Sequence, residues 1–177
     1  MDEVREITAE LESGKNKGYV ALWNKIKAIS IEDIKEIYQE LNTDFDLWEG
    51  ESDAYPYIDE TIDIMEKSGY LVESEGAKVV DVKEETDKAP MPPLVVIKSN
   101  GATLYATREL ATLESRMKRF HPKEIWYITD LRQELYFTQV FRAAYKTNLV
   151  SKNTKLEFYG FGTMNGKDGK PFKTRSG

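Results

Sequence analysis

From Val4 to Leu41 the apolar residues recur at three- and four-residue intervals, the period of helices with one apolar face. Val4, Ile7 and Leu11 share one such face; Val20, Trp23, Ile26 and Ile29 share a second, and the polar stretch 13–18 (SGKNKG) reads as the turn between them. A third helix is expected from Ser30, which with Asp33 approximates a capping box. Its buried stripe would be Ile31, Ile34, Ile37, Tyr38 and Leu41, with Asn42 as the stop. Residues 45–48 (FDLW) fit a short half-buried strand. Residues 57–68 place Ile58, Ile62 and Met65 on one helical face, and Gly69 closes that helix. Residues 71–73 and 78–82 read as antiparallel strands joined around Glu75-Gly76.

The pattern changes after the charged, proline-rich stretch 84–93 (EETDKAPMPP), which reads as a loop and as the domain boundary. Residues 94–98 are a β-branched run, Asn100-Gly101 is a hairpin signal, and 102–105 would be the returning strand. A helix over 107–119, a continuous apolar strand at 125–129 (IWYIT), a helix over 135–145 and a strand at 156–161 follow. The apolar run at 125–129 predicts a strand buried on both faces. Strand, helix, strand, helix, strand at these lengths predicts an α/β fold with a parallel sheet and crossover helices. Such sheets bind ligands beyond the C-terminal ends of their strands, which singles out Thr129-Asp130 and Phe161-Gly162.

Composition narrows the chemistry. The 177 residues are 40% hydrophobic and 32% charged, as in ordinary globular domains. Without cysteine there is no disulfide framework or thiolate site, and one histidine cannot build a multi-histidine metal centre. No apolar run approaches the ~20 residues that span a bilayer, so no membrane association is expected, and a cytoplasmic location fits. The net charge of −6 divides unevenly: residues 1–93 carry 24 acidic and 10 basic side chains, residues 94–177 carry 7 and 15. A basic C-terminal half points to polyanionic partners, or merely to a drift of surface charge.

Five of the eleven glycines lie after residue 159, and Lys167, Lys170, Lys173 and Arg175 are interleaved with them in 166–177. Backbone amides freed by glycine, with basic side chains around them, suit phosphate oxygens; a frayed basic terminus has the same composition. Tyr105 and Glu109 are four residues apart where a strand gives way to a helix, so both reach one cleft. A carboxylate beside a phenol suits a guanidinium or ammonium ligand, although a first-turn acid also serves its own helix dipole. Gln133, after the apolar strand, is placed to read a polar ligand, and Asp130 to cap the next helix. His121 reads as an exposed turn residue, and Trp23, Trp48 and Trp126 as core. No P-loop, dinucleotide fingerprint or zinc-protease motif is present.

Taken together, 71–80 (LVESEGAKVV), 100–112 (NGATLYATRELAT), 130–141 (DLRQELYFTQVF) and 160–177 (GFGTMNGKDGKPFKTRSG) resemble arginyl-tRNA synthetases of class I, in order and in spacing. The last segment stands in the place of the family's KMSKS loop. The resemblance implies residues 1–93 as a mixed helical and small-strand inserted subdomain, and 94–177 as the C-terminal half of a Rossmann-like nucleotide-binding sheet. It implies arginine activation by ATP, accompanied by Mg2+, to arginyl-adenylate, and transfer to tRNA. By position, Tyr105, Glu109 and Gln133 match the arginine pocket, Gly162, Thr163 and Met164 the segment against adenine, and Lys173, Thr174 and Arg175 the catalytic phosphate loop. No protein metal ligand is implied.

Some positions depart from the family pattern. Glu109 stands where the family has aspartate, Tyr136 where histidine is frequent, and Thr174 where the second lysine of KMSKS would be. No HIGH motif occurs, so the chain by itself is expected to be inert, a central piece of a larger enzyme. The alternative is a non-catalytic, synthetase-like module that binds RNA or protein through its basic half. Two structural expectations follow from the resemblance: Tyr105, Glu109 and Gln133 converge at the C-terminal edge of the sheet, and the terminal loop is loosely held.

Overall fold

The computed structural model describes residues 2–12 and 14–172. They form two compact units, 1–49 and 50–177, so the division falls at Glu49/Gly50 and the proline-rich loop lies inside the second unit.

The first unit holds two helices, α1 (Asp2–Glu12) and α2 (Lys17–Glu40). Asn16 caps α2, its side-chain oxygen accepting from the N–H groups of Gly18 and Tyr19. The helix then runs unbroken through Ser30, so the expected break there is absent. Lys27, Ala28, Ile31 and Glu32 on either side are compatible with helix, and a serine inside a helix costs only a few tenths of a kcal/mol. No residue of α2 is buried; Ile26, Ile29, Ile34 and Ile37 are exposed rather than forming the expected core stripe. Residues 45–48 are not a strand. Phe45 and Trp48 instead pack edge-on against Tyr38 and each other, at ring separations of 4.9–5.8 Å.

The second unit is mixed α/β. A 3-10 turn, Glu51–Tyr57, leads into α3 (Ile58–Lys67), and Gly69 at φ +75° releases the chain into β1 (Leu71–Ser74). Glu75 and Gly76 both have positive φ, the backbone of a tight two-residue turn, and β2 (Ala77–Val80) returns antiparallel. The next strand, β3 (Leu94–Ile97), pairs antiparallel with β2, completing a three-stranded sheet. It is therefore not part of a parallel sheet, as its sequence neighbours suggested: it is reached from β2 by a loop, and parallel pairing needs a crossover element. After the Asn100-Gly101 turn the returning strand shrinks to one bridge, Ile97 to Thr103.

Helix α4 (Tyr105–Phe120) starts two residues earlier than its apolar pattern implied. The Thr107 hydroxyl accepts from the Leu104 N–H (2.9 Å) and donates to the Val96 carbonyl, tying the helix start to β3. His121, in the left-handed region and exposed, ends the helix. Then come β4 (Glu124–Asp130), a 3-10 turn Leu131–Gln133, α5 (Glu134–Lys146) and β5 (Lys155–Phe161). Strands β4 and β5 pair in parallel from Glu124–Lys155 to Asp130–Phe161, with α5 as the crossover. The core gathers Met65, Val80, Val96, Leu110, Leu113, Ile125, Val140 and Val150 from both sheets, the helices and the segment after α5. Only one face of β4 joins it. Ile125 and Tyr127 are buried, whereas Trp126 and Ile128 are 58% and 68% exposed, so the strand is covered on one side and Trp126 is not core.

The proline-rich loop and the residues leading into it are clasped by three residues spaced along one side of α5. Gln139 donates to the Pro92 carbonyl (2.7 Å), Lys146 to the Asp81 carbonyl (2.7 Å). Between them Arg142 donates to both carboxylate oxygens of Asp87 (2.9 and 2.7 Å) and to the Val82 carbonyl (3.1 Å). These hydrogen bonds, with Arg142 the charged partner, hold the Asp87 carboxyl below its usual range. The pair therefore contributes at neutral pH and is lost as pH falls from the ordinary carboxylate range through that lowered value. Replacing Arg142 by alanine is expected to speed tryptic cleavage after Lys83 and Lys88, on the order of tenfold. Mass spectrometry of timed digests reads the sites; unchanged rates would mean the clasp does not restrain the loop.

Candidate functional site

Tyr105 and Glu109 stand one turn apart on the first two turns of α4, with the helix start fixed by Thr107. The Tyr105 ring lies 5.5 Å from that of Tyr136, in the first turn of α5, and Tyr136 in turn meets Phe137 edge-on at 5.1 Å. From β4 below, Tyr127 reaches the same place, its ring 4.8 Å from Phe137. Two helix starts and one strand thus bring Tyr105, Glu109, Tyr127 and Tyr136 together.

The site is electrostatically uneven. Burial raises the Glu109 carboxyl above its ordinary range, and nearby Glu51 adds to that. The Tyr127 hydroxyl and Arg116, two turns further along α4, partly offset it by favouring the charged form. Arg116 reaches the site through Tyr127: its Nη1 donates to the Tyr127 hydroxyl at 3.1 Å, and its guanidinium lies 5.5 Å from that ring's centre. Burial, and then Glu109, push the Tyr127 phenol well up, and the same two causes raise Tyr105. Among the described residues Glu109 enters no ion pair, since Arg108 is taken by Glu51. The Tyr136 hydroxyl oxygen is buried without a hydrogen-bond partner, a state that costs about 1–3 kcal/mol when nothing offsets it. A desolvated carboxylate among neutral phenols favours a cation with several N–H donors over any anion.

Gln133 sits just before α5, one turn ahead of Tyr136, with its amide donating to Thr129 Oγ1 at 2.8 Å. It marks the C-terminal end of β4. There Asp130 caps the 3-10 turn, accepting from the Arg132 N–H (2.9 Å) and from its guanidinium (2.8 and 2.9 Å). Those contacts with Arg132 lower the Asp130 carboxyl to about 2. Thr163, beyond β5, donates to Asp130 Oδ2 at 3.2 Å, so the ends of the two parallel strands are joined side to side. Gly162 has open space where a side chain would be, and Met164 is exposed. Gly162, Thr163 and Met164 therefore form a surface at the strand ends.

From Met164 the chain folds into a small hairpin. Asn165 bridges Pro171, Gly166 N–H donates to the Lys170 carbonyl (2.8 Å), and Phe172 N–H to the Met164 carbonyl (3.2 Å). Lys167 and Lys170 are on this hairpin. Lys173, Thr174 and Arg175 lie outside the described residues.

The structure sets Tyr127, Arg116 and Thr107 around Tyr105 and Glu109, none of them a candidate from the sequence, while the Gln133 amide is engaged with Thr129. A signal existed for one of them: Arg116 follows Glu109 by seven residues, two helical turns along the same face. Tyr127 had none, because the apolar run 125–129 does not alternate and its inward positions emerge only from the packing. Thr107 gave none, because its partner Val96 comes from a separate strand.

Comparison with known proteins bears on these positions. The family described as tRNA synthetases class I (R), catalytic domain, matches residues 1–177. The arginine–tRNA ligase of Alkaliphilus oremlandii is 50% identical over all 177 residues, and that of Agathobacter rectalis 52% identical over 170. The chain spans 30% of the length of the first relative and 28% of the second. Among solved structures, the arginyl-tRNA synthetase of Plasmodium falciparum superposes with a TM-score of 0.79 at 27% identity, over 92% of this chain and 28% of that one.

Proposed function

This chain belongs to the class I (R) tRNA synthetase catalytic-domain family, and on that premise we propose that it is the central part of an arginine–tRNA ligase. Its parent protein would use ATP to convert arginine to arginyl-adenylate and then pass the arginyl group to tRNA. In this reading residues 94–177 supply the C-terminal half of a Rossmann-like nucleotide site and residues 1–93 an inserted subdomain. The observation that carries the reading is Glu109, a half-buried carboxylate one helical turn from Tyr105, whose ring packs on Tyr136, with Tyr127 reaching it from β4.

Glu109 would neutralise the arginine guanidinium, with Tyr105 beside it and Gln133 closing the pocket from the end of β4. The backbone of Gly162, Thr163 and Met164 would lie against adenine at the end of β5. Lys173, Thr174 and Arg175 would meet the phosphates, stabilising the charge that passes to the departing pyrophosphate. Mg2+ would be carried by the ATP phosphates. No described helix is long and apolar enough to cross a membrane. A cytoplasmic place of work, where tRNA is charged, is part of this proposal.

The test is arginine-dependent exchange of pyrophosphate into ATP by the protein carrying this chain, with and without tRNA. Exchange is expected with arginine and tRNA together. Exchange with another amino acid, but not with arginine, would overturn the assignment.

A further inference from the structure

Tyr136 carries a polar group that the fold itself does not use. Its ring is held by aromatic contacts on two sides, Tyr105 at 5.5 Å and Phe137 at 5.1 Å, so the ring's place is fixed without its hydroxyl. The hydroxyl oxygen is nonetheless buried, and no described residue bonds to it. A phenylalanine would keep the packing and avoid the desolvated oxygen. The hydroxyl is therefore explained by a partner from outside the chain.

The chemistry of that partner follows from the neighbours. Glu109 and Tyr105 stand closest in electrostatic effect, with Glu51 adding negative charge and Arg108, itself engaged with Glu51, opposing it. Burial, and then Glu109, keep the phenol proton on, so the group stays neutral with lone pairs to offer. An anionic ligand would be repelled by Glu109. An ammonium has three donors, but all on one nitrogen, so both acceptors would have to close on that single point. A planar guanidinium spreads five N–H donors over a rigid fork and meets two separate acceptors at once.

We infer that the Tyr136 hydroxyl is a specificity contact of the arginine pocket, its oxygen accepting a hydrogen bond from the same guanidinium that Glu109 neutralises. This rests on the arginine reading above and adds a contact that the site residues carried over from the family do not include.

Tyr136→Phe in the protein carrying this chain tests it, with two readouts. In tRNA-dependent pyrophosphate exchange, KM for arginine is expected to rise about five- to twentyfold while kcat stays within about twofold. The melting temperature without ligand is expected to be unchanged or higher, because an unsatisfied oxygen has been removed. An unchanged KM would overturn the inference. So would a raised KM accompanied by a lower melting temperature, since the hydroxyl would then be serving the fold. Both outcomes leave the arginine reading standing, because wild-type exchange with arginine is its separate control. Wild-type protein that exchanges with another amino acid and not with arginine would defeat that reading, and with it the guanidinium partner inferred for Tyr136.

Discussion

Glu109→Gln is expected to weaken arginine binding by about ten- to a hundredfold while raising the melting temperature of the ligand-free protein at neutral pH. The two effects have one cause. Burial makes the ionised carboxylate costly, so its protonation is favoured in the folded state over the unfolded one. A group raised in this way gives its full stabilisation below the unfolded value, near 4.5 for this side chain, and loses it as pH rises through the folded value. At about pH 7.5 the wild type therefore carries a desolvated charge that the amide lacks, and the Glu109→Gln variant is the more stable. Near pH 4, where the carboxyl is largely protonated in both states, the difference should shrink. Binding runs the other way. Charge-assisted hydrogen bonds from a guanidinium are worth about 1.5–3 kcal/mol, and an amide restores little of that. Thermal melts at about pH 4 and pH 7.5, with arginine titrations by calorimetry, separate the effects. Unchanged affinity would remove Glu109 from the pocket; a lower melting temperature at the higher pH would mean its charge is satisfied within the fold.

That opposition was partly legible in the amino-acid sequence. The four-residue spacing of Tyr105 and Glu109 predicts a shared helical face whatever the rest of the fold does, and the helix in fact begins at Tyr105. The spacing left open whether Glu109 meets a ligand or serves its helix dipole. What bears on that question is burial against Tyr127 and the arrival of Tyr136, and both come from elements distant along the chain. Local signals were reliable where the cause was local: the Glu75-Gly76 turn, the Gly69 helix stop, the crossover helix between β4 and β5. They failed where the cause was a partner. The apolar run at 94–98 announces a strand, but nothing within it says that β2 takes it antiparallel. Likewise IWYIT reads as a doubly buried strand, yet the helices cover one face and leave Trp126 and Ile128 exposed beside Tyr159 and Phe161. Helical spacing in α2 signals a helix; it does not supply something to bury its isoleucines against. The loop at 84–93 follows the same rule. Proline and charge mark 84–93 as irregular, but Arg142 and Gln139 bind that loop to α5, and Lys146 holds Asp81 just ahead of it.

Glycines near the C-terminus give the sharpest test of composition against geometry, because Gly160 and Gly162 differ in what surrounds them. A β-carbon at Gly160 would fall 2.6 Å from Leu131 Cδ1, 2.9 Å from Leu131 Cα and 3.0 Å from Phe158 Cε1. The methyl of Leu131 could swing away, but its Cα is backbone and cannot. At Gly162 no atom lies within 4 Å of the added carbon. Neither residue has positive φ, so alanine meets no backbone strain at either. Gly160→Ala must therefore push β5 away from the turn that follows β4. Overpacking of this kind costs about 1–3 kcal/mol, which at roughly 2–4 °C per kcal/mol lowers the melting temperature by about 2–12 °C. The displaced pairs would be Thr129–Gly160 and Asp130–Phe161, the last of the ladder, just before Thr163 reaches back to Asp130. Gly162→Ala should stay within about 0.5 kcal/mol of wild type in stability, as surface substitutions do. If it matters, it should matter for ATP, by standing between the backbone and adenine. Equal melting temperatures for the two variants would refute the packing role of Gly160. A drop for Gly160→Ala alone would make Gly160 a glycine of fold, and leave Gly162 the one to examine with nucleotide.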